Sequence, residues 1–124
     1  MKVINTVKAP KAIGPYSQAI LTNDNFLYVS GQLGLNPQTM ILEDNIELQT
    51  RRVFENIDEI LKEANFDRND IIKTMVLIDN MADFDVINQI YGEYFGNHKP
   101  ARSAFEVSKL PKNGLIEIEV IAKK

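Results

Sequence analysis

The strongest periodic signal in the chain lies between Asp44 and Asn65. There Ile46, Gln49, Val53, Ile57, Ile60, Leu61 and Ala64 recur at spacings of three and four, with charges on the opposite side. That spacing predicts an amphipathic helix. A second helical stripe runs through Phe84, Ile87, Asn88, Tyr91, Tyr94 and Phe95, with Asp83 as its predicted N-cap and Gly96 at its stop. Elsewhere the period is two. Ile116, Ile118, Val120 and Ala122 alternate with Glu117, Glu119 and Ile121, so the two glutamates share a face opposite the aliphatic one. Before them, Arg102, Ala104 and Glu106 alternate with Ser103, Phe105 and Val107, and the stretch LPKNG joins the two runs with Pro111 and Asn113-Gly114 as breakers. If these two strands pair, an arginine and one or two carboxylates come to one sheet surface.

The remaining extended segments are a short, weak candidate over Val3 to Val7, a hairpin of Gln18 to Thr22 and Phe26 to Ser30 around TNDN, and a β-branched run from Asp70 to Ile78. The order β-β-β-α-β-α-β-β predicts a single α+β domain, with two helices packed on one face of a sheet. Two helices cover one face only. Yet Met75, Val76, Leu77 and Ile78 make the middle strand apolar on both sides. A sheet apolar on both faces and covered on one buries the other against a partner, so the expectation is a homo-oligomer with sites near its seams.

Composition narrows the chemistry. The chain has 124 residues, 14 Lys plus Arg against 17 Asp plus Glu, and a formal net charge of −3. A nucleic-acid binder normally presents a basic stripe, and this balance argues against one. With no cysteine, disulfides, thiol nucleophiles and zinc-thiolate centres are excluded. The opening MKVINTVKAPK has no apolar signal core and no apolar run approaches membrane-spanning length, so the expected location is the cytoplasm.

Each polar candidate has a plain reading beside a functional one. Arg102 is either a surface arginine paired with Glu117 or Glu119, or a clamp that holds a small carboxylate bidentately, as lysine cannot. Glu117 and Glu119 are either the polar face of an edge strand or a water-orienting, proton-moving group. Tyr16, in the Gly14-Pro15 loop, is a packing anchor or a phenol beside a ligand. Gly31 is a strand-end glycine or one that lets a ligand approach the backbone. Asn88 is out of place on an apolar stripe; it bonds a neighbouring group or faces a polar pocket. His98, the sole histidine, has no partner at metal spacing and reads as solvated, while Tyr91, Tyr94 and Phe95 read as core. No phosphate loop, dinucleotide fingerprint or zinc-protease motif occurs.

Together, IGPYSQ at 13–18, VSGQLGLNP at 29–37, FDVIN at 84–88 and PARSAFEVSKLP…IEIEVIA at 100–122 resemble the RidA/YjgF family of reactive-intermediate deaminases, over nearly the whole chain and in order. The resemblance implies a homotrimer of chorismate-mutase-like subunits with three clefts between neighbours. It implies hydrolysis of 2-imino and 2-enamino acids, such as 2-aminoacrylate and 2-iminobutanoate, to 2-keto acids and ammonia, without a metal or other cofactor. Matched by position, Arg102 would clamp the substrate carboxylate and Glu117 would handle the attacking water. Tyr16, Ser30, Gly31, Asn88 and the backbone around Ala104 would line the pocket. Many relatives have cysteine where this chain has Ala104, which would make a thiol dispensable. Two other readings stand beside it: a non-catalytic trimer that binds small 2-keto acids, and a ribonuclease or translation inhibitor.

Overall fold

The computed structural model describes residues 1–124. Strands β1 (Lys2–Ile4), β2 (Ala19–Leu21) and β3 (Phe26–Leu33) precede helix α1 (Ile46–Glu63). Strand β4 (Ile71–Ile78), helix α2 (Phe84–Phe95), and strands β5 (Ala101–Glu106) and β6 (Ile116–Lys123) follow. All strands join one six-stranded sheet in the order β1-β2-β3-β6-β4-β5. Every neighbouring pair is antiparallel except β4 and β5, which run parallel. A parallel pair needs a crossover, and α2 supplies it.

The element order and the α+β class match the expectation from the periodicities. The pairing of the last two strands does not. Strand β4 inserts between β5 and β6 and bonds to both. This accounts for the double apolar character of Met75 to Ile78: a central strand presents one row to the helices and another to the far side of the sheet.

The helix-side layer holds the core. Val76, Ile78, Ile116, Ile118 and Val120 of the sheet are buried against Val53, Ile57, Ile60 and Leu61 of α1 and Ile87, Tyr91 and Phe95 of α2. Complete burial of such side chains contributes roughly 1.5–3 kcal/mol each. The stripe of α1 also carries polar residues on its buried side, and they tie the sheet to the helix. Asn56 Nδ2 donates to the carbonyls of Leu33 and Leu35 at 3.2 and 2.9 Å. Gln49 Oε1 accepts from the Leu115 backbone N–H at 2.9 Å. Gly34 permits this closeness, since a Cβ there would lie 2.6 Å from Gln49 Cα.

Local expectations fail in instructive places. β1 ends at Ile4 rather than Val7, because the buried Gln18 carboxamide captures the backbone beyond it. Its Oε1 accepts from the Thr6 N–H at 2.8 Å, and its Nε2 donates to the carbonyls of Thr6 and Pro10 at 3.0 and 2.9 Å. Asp83 makes no side-chain cap; α2 is entered through a 3-10 turn, Met81–Asp83, capped by Asn80. Gly96 does end α2, at φ 61°, where a side chain would be strained. His98 is half-buried rather than solvated, with Nε2 2.6 Å from the Ile71 carbonyl oxygen. No helix is long and apolar enough to cross a membrane.

The second face of the sheet has no helix over it. Lys73, Met75 and Leu77 of β4 lie beside Ile121, Glu119 and Glu117 of β6, and beside Ala101, Ser103 and Phe105 of β5. Phe105 is 45% exposed there.

Candidate active site

The open face places Glu117 in a cleft of about 590 Å³ with Tyr16, Ser30, Gly31 and Glu119. A bulge in β3 shapes it. Val29 pairs with Val120 and Gln32 with Ile118, so β3 carries one residue more than β6 across that interval. The bulged residues Ser30 and Gly31 are then held from the N-terminal loop. Ser30 Oγ donates to the Ser17 carbonyl at 2.6 Å, and the Ser30 N–H donates to the Gln18 carbonyl at 2.9 Å. Gly31 faces Glu117 directly: a Cβ on Gly31 would sit 2.7 Å from both Cδ and Oε1 of Glu117. Tyr16 hangs at the mouth, 48% exposed, its hydroxyl accepting a long 3.4 Å bond from the Ile13 N–H.

Neither Glu117 nor Glu119 enters an ion pair of this chain. Burial pushes the Glu117 carboxyl above the ordinary glutamate range, and the like charge of Glu119 pushes it further the same way. A half-buried carboxyl with a raised pKa, unpaired and in a cleft, is a group that holds a proton more readily than an ordinary glutamate and so is suited to general acid–base work.

Arg102 lies on the other side of the sheet. Its register partner is Thr74, whose hydroxyl is 2.8 Å from the Tyr91 hydroxyl under α2. Because β5 is an edge strand, the Arg102 side chain reaches solvent along the flank of α2. Its Nη1 donates to Asn88 Oδ1 at 2.8 Å, and its guanidinium carbon stands 4.7 Å from the Tyr91 ring centre and 5.5 Å from that of Phe84. One N–H bond and an aromatic shelf orient the fork, while its other donors face a cleft of about 470 Å³ shared with Asn88, Gly92, Lys99 and Pro100. Ala104 continues the same row, opposite Val76, and packs against the core.

The structure therefore gathers the expected residues into two half-sites. Tyr16, Ser30, Gly31 and Glu117 form one; Arg102 and Asn88, with Ala104 beside them, form the other. Arg102 and Glu117 do not share a surface within one chain. Sequence reasoning missed the shelf under Arg102. Phe84, Asn88 and Tyr91 were visible as one stripe of α2, but a stripe does not say that its end lies over an edge strand.

The fold belongs to a recognised group: the chain is a member of the Endoribonuclease L-PSP family, whose sequence profile matches residues 6–124. Among its relatives, a RutC family protein of Pyrococcus horikoshii is 53% identical over 99% of this chain and 98% of its own length. The human 2-iminobutanoate/2-iminopropanoate deaminase is 43% identical over 98% of this chain and 88% of its own length. The crystal structure of RidA from an Antarctic Psychrobacter superposes with a TM-score of 0.97 at 40% identity, covering 100% of both chains.

Proposed function

We propose that the protein is a hydrolytic deaminase of small 2-imino and 2-enamino acids, working as a homotrimer whose clefts each join the Arg102 half-site of one copy to the Glu117 half-site of the next. The observation that carries this reading is the separation itself. A guanidinium with free donors and an unpaired, raised carboxyl occupy opposite faces of one sheet, each in an open cleft. The apolar row of Met75, Leu77, Phe105 and Ile121 lies on the Glu117 face with no helix over it, where a second copy would dock. The deaminase name of the human relative supports the reaction class.

The chemistry needs little more than these groups. The substrate carboxylate docks on the free N–H fork of Arg102, which fixes the imine carbon relative to the opposite wall. Glu117 orients a water and takes its proton as the oxygen bonds to the electrophilic imine carbon. The resulting carbinolamine nitrogen gains a proton, the C–N bond breaks, and ammonia leaves as the carbonyl forms. The Glu117 carboxyl returns the proton it took, first to the leaving nitrogen, and is free for the next cycle once the carbinol proton is released to solvent. Small imines also hydrolyse unaided, so the barrier lowering required lies at or below the low end of the usual range of about 8–23 kcal/mol.

The family description names a ribonuclease, and that reading has a specific opponent in this chain. The Glu117 cleft carries two carboxylates against one lysine, Lys11, the net charge is −3, and the only histidine is docked on the Ile71 carbonyl. A phosphodiester would meet like charge in that cleft. The test is a coupled assay in which a serine or threonine dehydratase releases the imine and keto-acid formation is followed with and without this protein. Acceleration confirms the reading. A folded assembly that binds 2-ketobutyrate and leaves the uncatalysed rate unchanged replaces it with a binding role.

A further inference from the structure

Gly31 was a candidate for close ligand approach, but the structure fills that space from within. The β3 bulge brings the Gly31 Cα to the Glu117 side chain, and an added methyl would lie 2.7 Å from its Cδ and Oε1 and 3.0 Å from its Cγ. Carbon atoms do not approach so closely, so the carboxyl occupies the volume that every other residue type would fill. We infer that Gly31 is a positioning residue: the bare backbone of the bulge is the seat that holds the Glu117 carboxyl in place within its cleft. The inference takes the role of Glu117 from the proposed deaminase chemistry, while the seat itself rests on geometry alone.

The seat has further walls. Ser30 is pinned by Ser17 and Gln18 on one side, and Gln32 Nε2 donates back to the Ser30 carbonyl at 3.1 Å, so the bulge is held on both flanks. Seated there, the carboxyl is half-buried, which raises its pKa. The titratable groups around the cleft are Glu119 on the same strand, and Lys11 and Tyr16 from the N-terminal loop. On the other side of β6 from β3, strand β4 contributes uncharged Leu77 and Met75 beside the two glutamates, and Lys73 lies further along the same face, lining a neighbouring cleft with Glu119. Burial is the largest cause of the shift and Glu119 the second, so displacing the carboxyl to solvent lowers its titration midpoint.

The contact is with the end of a flexible side chain, so Gly31→Ala leaves the fold in place and swings Glu117 out of its seat. In the oligomer as purified, kcat for imine hydrolysis falls by about 100-fold, the scale of a 1 Å misplacement, with KM little changed because Arg102 still holds the carboxylate. By carbon-13 NMR of labelled glutamate carboxyls, the Glu117 midpoint moves down toward the ordinary glutamate range. Unchanged kcat and an unchanged midpoint would overturn the inference. A second arm reads stability. Gly31→Ala lowers Tm in the wild-type background and not in Glu117→Ala, where the clash is gone. If Gly31→Ala fails to fold, recovery of folding in the double variant supports the seat. Equal loss in both backgrounds, or no recovery, refutes it. Wild-type protein without deaminase activity would remove the catalytic role of Glu117, and the midpoint and Tm arms would still decide the seat.

Discussion

Replacing Arg102 separates the clamp from the scaffold more cleanly than any other change. The residue sits on the edge strand β5 with one N–H on Asn88 and its face over Tyr91 and, more distantly, Phe84, so its side-chain ties are one exposed hydrogen bond and two cation–π contacts. Together these contribute on the order of 1–2 kcal/mol. Its functional contacts are the free donors of the fork. Two charge-assisted hydrogen bonds to a carboxylate contribute roughly 3–6 kcal/mol, so Arg102→Ala lowers kcat/KM by at least about 100-fold. Arg102→Lys keeps the charge but loses the fork, and one lost bond of about 1.5–3 kcal/mol corresponds to a fall of roughly 10- to 150-fold. The assay is dehydratase-coupled release of keto acid, with circular dichroism and light scattering on each variant. A folded, correctly assembled Arg102→Ala protein retaining kcat/KM within about threefold of wild type would refute the clamp.

Two further outcomes follow from the same geometry. Glu117 has a raised folded-state pKa, so the folded protein binds more protons than the unfolded chain between the ordinary and the raised value; the stabilisation this brings is full below the ordinary glutamate pKa and lost as pH rises through the raised one. Glu117→Gln therefore abolishes hydrolysis, yet raises Tm at neutral pH, and the gain vanishes on acidification; a Tm gain that persists in acid would contradict the burial argument. Phe105→Glu puts a charge on the uncovered sheet face and is expected to give monomers without activity, and a trimer by light scattering would exclude that face from the interface.

Much of the fold was legible because its signals are local. The stripe of α1 and the alternation of β6 each follow from one element's own periodicity. Asn88 was legible as an anomaly, and the guanidinium of Arg102 explains it. What stayed hidden depends on pairing. Alternation along β5 sets Arg102 against Ser103, but which of them meets the helices depends on β4, a neighbour brought in by a parallel crossover. The capture of Thr6 by Gln18 and of Ile71 by His98 are likewise long-range contacts, separated by 12 and 27 residues. The Gly31 position was recognised as a place of close approach, while its occupant, Glu117, became visible only through the register of β3 and β6.

In the proposed trimer each catalytic cleft takes Arg102 and Glu117 from different copies. Subunit mixing tests it directly. Arg102→Ala and Glu117→Gln are each inactive alone; co-refolded in equal amounts, they form mixed trimers in which about a quarter of the clefts recover both wild-type groups. On mixing, activity returns to roughly a quarter of wild type. Mixed trimers verified by native mass spectrometry that stay inactive would contradict it.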